Sequence, residues 1–389
     1  MFLSILSDYL HNRPTQEPTD VDWRVVLDIA QKHQLTNIVM AQCANMKMDD
    51  TLQFALLQMF ARILQVRTAQ ATFLSELCAY LDAQAKPYCV VKGSVVAEYY
   101  QQYEHRAMGD IDLLVHTEDR EFVHQYLLSL GFENYSKNIH HEWVYEKKPL
   151  LIEVHDQLVY PEVFNKECEE AFFNDIWPHV SDNVLELDFH FVYLLYHMKK
   201  HLTSGGIGFK SFLDIALMIK GCPTLDCARI RAYLEKADML DFAKVVFALC
   251  AYWFEDESLL FFDDAIVMPA EVLESKTEAI FRNGTFGQFN EDNKINVSVN
   301  NLRYSRYKWI SKLRVFFQQA FPNYDNMIAT SAYAFLEHRP YLLPVAWVYR
   351  FFTNAKKGKL KTFCERKINF ASAEEQQERE KDLKEWKIL

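Results

Sequence analysis

The sequence predicts an α+β protein that is helix-rich overall, with a small mixed β-sheet set between N-terminal and C-terminal helical regions. Three observations predict it. Residues 20–86 keep a helical period without strand signals, residues 87–160 alternate strand and helix before a hairpin, and helices return after Pro161 and persist. This divides the chain into an N-terminal helical region (1–86), a core (87–160) and a C-terminal helical region (161–389). A chain of 389 residues exceeds what one hydrophobic core normally organises, so two or three packed units are expected. Hydrophobic residues at 50% and aromatics at 14% exclude general disorder, and only ten glycines point to helix.

The elements follow in order. Met1 to Asp8 has neither the basic start nor the long apolar stretch of a signal peptide. Val26, Ile29, Ala30, His33 and Leu35 suggest one helix, and Leu52 to Leu81 reads as one or two longer ones. Tyr88 to Val91 reads as a short buried strand and Val95 to Gln101 as a short helix, so Lys92-Gly93-Ser94 occupies the turn between them. Ile111 to Val115 is a second apolar strand, and Asp119 to Leu130 a helix ended by Gly131 at the C-terminal capping position. Glu142 to Glu146 and Leu150 to His155 form a hairpin across Lys147-Lys148-Pro149, with proline where no ladder hydrogen bond is needed.

Beyond the hairpin, Asp188 to His201 is amphipathic, with His190, Leu194, His197 and His201 on one stripe. A loop holding Gly205, Gly206 and Gly208 leads to a helix where Lys210 and Asp214 have the i, i+4 spacing of an ion pair. Tyr341 to Phe352, broken by Pro344 and Arg350, is too short to span a bilayer; the lysines at 356–361 leave a membrane-surface helix as the alternative, but it reads as a core helix. Ala371 to Leu389 is a charged helix or a frayed end.

Two features carry chemistry. Alternate side chains of a strand share a face, so Asp110 and Asp112 project together while Ile111 and Leu113-Leu114-Val115 bury the strand. Mg²⁺ is held by one or two such carboxylates plus substrate phosphates. In the turn, Gly93 lets backbone approach a phosphate, the start of the following helix favours an anion, and Ser94 caps that helix or binds the same phosphate. Glu153 is the one ionisable residue inside its apolar run, and a buried charge needs a partner or a metal. His197 and His201 have chelating spacing, but no third ligand is evident beside the reading of a packed histidine face. Neutralising Asp112 to Asn is expected to stop the chemistry while leaving the fold nearly as stable, because carboxylate repulsion is relieved.

Composition narrows the partners. A net charge of −11 argues against a surface that tracks nucleic acid. RNA is left only local basic clusters, at 303–308, 312–314 and 356–361. The eight cysteines have no repeated zinc-site spacing and indicate a reducing cytoplasm.

The run from Val91 to Val159 resembles the nucleotidyltransferase superfamily with the DNA polymerase β-type fold, and in particular the bacterial family of uncharacterised nucleotidyltransferases. The resemblance rests on Lys92-Gly93, Arg106, Gly109-Asp110-Ile111-Asp112-Leu113, His140 or His141, and Glu153-Val154-His155. It continues through His197, Lys210 to Asp214, and Gly284 to Gly287. It implies an enzyme that moves an NMP from an NTP to a hydroxyl of an acceptor, whether small molecule, RNA or protein. Asp110, Asp112 and Glu153 would be catalytic and hold Mg²⁺ (or Mn²⁺), and Lys92, Gly93, Ser94, Arg106 and Lys210 would bind nucleotide. His141, His155, His197 and Asp214 are implied as accessory groups. Three other classes stay open: a tRNA-modifying toxin or defence enzyme, a nucleotide-binding regulator without turnover, and a helical scaffold.

Overall fold

A computed structural model gives the fold, and it describes residues 1–136, 142–159, 166–285, 321–322, 324, 327, 331–336, 339–356 and 373–389. Four helices open the chain: α1 (Phe2–Leu10), α2 (Trp23–Lys32), α3 (Thr36–Cys43) and α4 (Asp50–Ala83). The segment expected to be one helix through Leu35 stops at Lys32. Gln34 takes a positive φ of 56°, and a new helix starts at Thr36. Asp22 and Asp49 cap α2 and α4, their carboxylates accepting backbone N–H groups of the first turn. α4 is one unbroken helix of 34 residues.

Next come β1 (Tyr88–Val91), α5 (Gly93–Val96), β2 (Ile111–Val115), α6 (Arg120–Ser129), β3 (Glu133–Ser136), β4 (Glu142–Lys147) and β5 (Leu150–His155). The sheet order is β1-β2-β5-β4-β3, with β2 and β5 parallel and the other pairs antiparallel, so the predicted small mixed sheet and α+β class hold. α5 begins two residues earlier than Val95 and is a single turn, continued by a 3-10 turn over Ala97–Tyr99.

Strand alternation divides the sheet's faces. Ile111, Leu113, Val115, Ile152 and Val154 are buried against Phe73, Leu77 and Leu81 of α4 and Val123 and Leu127 of α6. The intervening residues Asp112, Glu153 and His155 are therefore turned to the other face. Registry decides which of them meet: Asp112 is paired with Glu153, and Leu114 with His155.

That other face is covered by the C-terminal helices. After α7 (Glu167–Asn174) and a ribbon of β6 (Val180–Ser181) and β7 (Val184–Leu185) come α8 (Leu187–Ser204) and α9 (Phe209–Gly221). They are followed by α10 (Cys227–Lys236), α11 (Leu240–Phe254), α12 (Ala270–Asn283), α13 (Leu343–Lys356) and α14 (Ala373–Glu385). One large core joins residues of α1–α3 and β1 with α8, α9 and α11. The charged tail is a docked helix, because Leu383, Trp386 and Ile388 are buried in that core and Lys276 bonds Asp382 at 2.6 Å. α13 is a core helix on one face only: Ala346 is buried in a small cluster with Met327 and Leu336, while Val345, Val348, Tyr349, Phe351 and Phe352 are exposed. Among the described residues, no helix is long and apolar enough to cross a membrane.

Candidate active site

Asp112 is the centre of the site. It is buried on β2, and its Oδ1 accepts from Lys92 Nζ at 2.6 Å and lies 3.0 Å from His155 Nε2. His155 Nε2 lies 3.7 Å from Glu153 Oε2. Among the described residues, Asp112, Glu153 and His155 form a group whose ligand atoms all lie within 4.8 Å of one another. Burial works against the Asp112 carboxylate, but the Lys92 ammonium and His155 outweigh it and hold it well below the usual carboxylate range. Asp110 is not a member of that group; it stands just ahead of β2 and lines the cleft. Burial first, and the Asp112 charge second, push its carboxyl up, against the opposing pull of Lys92, Lys210 and Arg106.

The Lys92-Gly93-Ser94 turn is shaped by contacts the sequence does not reveal. Lys92 takes a positive φ of 57°, uncommon for a residue with a Cβ, and its amide donates to His190 Nε2 at 2.8 Å. His190, read as one member of a stripe, is thus the residue that pins the turn. Gly93 is required by side chains: a Cβ there would lie 2.7 Å from Arg106 Nη1 and 3.0 Å from Met108 Sδ. Gly93→Ala should therefore cost about 1–3 kcal/mol in stability, readable as a drop in melting temperature, through overpacking against a fixed guanidinium. The Ser94 hydroxyl does not cap α5; it is buried with no hydrogen-bond partner among the described residues. Contrary to a lost-cap cost of about 1 kcal/mol, Ser94→Ala should leave the free protein as stable as before, with any loss confined to ligand affinity.

Arg106 is held in place by Asp214. Its Nε and Nη2 donate to Asp214 Oδ1 and Oδ2 at 2.9 and 2.8 Å, and Tyr100 Oη donates to Asp214 Oδ1 at 2.6 Å. Asp214 is therefore not the helical partner of Lys210. Lys210 Nζ instead donates to Gln34 Oε1 at 2.5 Å and to the Ala107 carbonyl at 3.3 Å. Burial, then the neighbouring Arg106, lower the Lys210 pKa to about 8.

Part of this constellation lines one cleft of about 350 Å³, while Asp112, His155 and Ser94 stand behind its wall. Lys92, Gly93, Asp110 and Glu153 face it from the sheet, and His197, His201, Lys210 and Asp214 from α8 and α9, with Gly206 and Gly208 at its rim. A cavity of about 490 Å³ between α1, α11 and α12 contains none of the motif residues. The Nε2 atoms of His197 and His201 are 2.8 Å apart, so one ring donates to the other and neither belongs to the Asp112 group. His141, like His140, lies outside the described residues, as do the basic clusters at 303–308 and 312–314.

The buried histidines set a pH dependence. Burial lowers His33 and His190 to about 4 and His201 to about 3. Between the ordinary histidine pKa of about 6.5 and these values the unfolded chain binds more protons than the folded one, so stability falls as pH falls. Each should contribute on the order of 1 kcal/mol of loss between about pH 7 and 5, against which the Asp110 and Asp188 carboxyls, both pushed up by burial, act the other way. Scanning fluorimetry should show a lower melting temperature at pH 5; an unchanged or higher one would overturn the assignment of neutral buried rings.

A sequence model of the family described as "Uncharacterised nucleotidyltransferase" matches residues 19–255, more than half of the chain. No curated protein matches the chain, and no solved structure does. The matched span includes the carboxylate strand, the Lys-Gly turn and the helices that close the cleft over them. The chain belongs to the uncharacterised nucleotidyltransferase family, and it is a transferase of nucleotidyl groups.

Proposed function

We propose that the protein transfers a nucleoside monophosphate from an NTP to a hydroxyl of an acceptor, with a divalent cation at Asp112, Glu153 and His155. The observation that carries this reading is the Asp112–Glu153 register, which sets two carboxylates beside the His155 imidazole, with Glu153 facing a cleft that Lys92, Arg106, Lys200 and Lys210 line together with Asp110 and Asp214. Carboxylates suit Mg²⁺ and Mn²⁺ alike, and the His155 nitrogen favours Mn²⁺. When bound, the ion polarises the phosphoryl oxygens and makes the acceptor hydroxyl more acidic. Asp110, uncommitted and turned to the cleft, is the carboxylate left for the ion that the nucleotide brings with it. In the transfer, the acceptor oxygen bonds to the α-phosphorus, the bond to pyrophosphate breaks, and the hydroxyl proton leaves to a carboxylate or water. Lys92 and Lys210 offset the charge that grows on pyrophosphate, and Gly93 and Ser94 shape the turn that receives the phosphates.

The test is a screen of the four α-labelled NTPs against small-molecule and RNA pools with Mg²⁺ or Mn²⁺. Label should pass from the α-phosphate to one acceptor class and should depend on Asp112. Tight nucleotide binding without transfer to any pool would instead favour a regulator. Lys210→Ala should weaken triphosphate binding about tenfold and monophosphate binding less, because an ammonium acts on phosphate as a point charge. Equal losses in calorimetry would remove Lys210 from the phosphate site.

A further inference from the structure

Arg67 on α4 is a buried cation without a counter-ion. Its side chain is among the largest fully buried ones, with the residue 1% exposed. Nη1 donates to Gln70 Oε1 at 2.9 Å and to Met108 Sδ at 2.8 Å, and the guanidinium lies 4.4 Å from the centre of the Tyr103 ring. Among the described residues Nε and Nη2 have no hydrogen-bond partner and no carboxylate reaches Arg67 as an ion pair, the charge of Glu104 acting on it only from a distance. An unpaired buried charge costs several kcal/mol unless something else compensates it.

Its position suggests what compensates it. Met108 lines the cleft, its sulfur accepts weakly from Arg67 Nη1, and it lies against Gly93. The cations around this turn differ in one respect: Lys92 is paired with Asp112 and Arg106 with Asp214, whereas Lys210 and Arg67 have only neutral acceptors. The surplus positive charge behind and beside Gly93 thus matches a polyanion. A thioether chain is flexible enough to move aside and yield its place on Nη1 to a charged oxygen.

We propose that Arg67 is a phosphate-binding residue, reached when Met108 swings away, and that it grips the polyphosphate of the incoming substrate. The nature of that substrate as an NTP rests on the function proposed above; the anion site does not.

Calorimetry with inorganic tripolyphosphate, on the full chain and on its Arg67→Met and Arg67→Lys variants, tests it. Arg67→Met should lose affinity by about tenfold or more while the free protein melts at the same temperature or higher, since the uncompensated charge is gone. Arg67→Lys should recover part of that affinity. Wild-type affinity in Arg67→Met, failure of that variant to fold, or a wild-type protein that binds no tripolyphosphate would each overturn the proposal. Loss of affinity in Arg67→Met, in a protein that transfers no NMP, would keep the anion site and remove the transferase substrate reading; transfer at wild-type polyphosphate affinity would do the reverse.

Discussion

Asp112→Asn should abolish transfer and also destabilise the protein, whereas Asp110→Asn should cut transfer while leaving the fold as stable or more so. From the sequence, the two aspartates form one repelling pair, and neutralising Asp112 relieves it. The structure separates them. Asp112 is bonded to Lys92 and His155, both largely removed from water, so its charge is the one these groups need. Removing it leaves the Lys92 ammonium facing an amide, and breaking one partner of a buried pair costs about 3 kcal/mol or more. Asp110 has no such ion pair among the described residues, and its carboxyl is pushed up by burial and by Asp112. The relief of repulsion therefore belongs to Asp110→Asn. Loss of a ligand to the metal should lower the rate by roughly 10³-fold, equivalent to several kcal/mol of transition-state stabilisation. Melting curves of the two metal-free variants decide the point: equal stabilities, or a more stable Asp112→Asn, would show that Lys92 is not the partner described here.

What the sequence made legible was local. Period-two burial around Asp112 and around Glu153 identified both strands, and their apolar neighbours fixed the face that packs on α4 and α6. β3 was not legible, because Glu133-Asn134-Tyr135-Ser136 has no apolar alternation and is a strand only by pairing with β4, with a register shift between Asn134 and Ser136. α1 could have been found. Phe2, Ile5, Leu6 and Tyr9 keep the helical spacing and are all buried. The contacts that shape the turn were beyond reach for a different reason. Lys92 to His190, Lys210 to Gln34 and Arg67 to Met108 join residues 98, 176 and 41 positions apart, and a single polar contact leaves no period in the chain.

The same reasoning makes Asp214 the residue whose loss should most damage the fold. Its i, i+4 spacing from Lys210 alone predicts a helical ion pair, a contact worth a few tenths of a kcal/mol if exposed. In the structure it accepts both arms of the Arg106 guanidinium and the Tyr100 hydroxyl, all three groups being buried. Asp214→Ala should therefore cost about 3–5 kcal/mol, since it strands a guanidinium and a phenol at once. Its effect should also reach the cleft, because Arg106 Nη1 lies 2.7 Å from where a Cβ on Gly93 would be, and a released Arg106 no longer shapes that turn. A double substitution, Arg106→Met with Asp214→Leu, separates the two consequences. Replacing a buried pair by apolar groups is often neutral, so the double variant should regain most of the lost stability in chemical denaturation. It should not regain nucleotide affinity, because the turn would then lack the cation at its back. Recovery of both would reduce Arg106 to a packing residue, and an additive loss of stability in the double variant would show that the pair is not the unit that holds β2, α9 and the turn together.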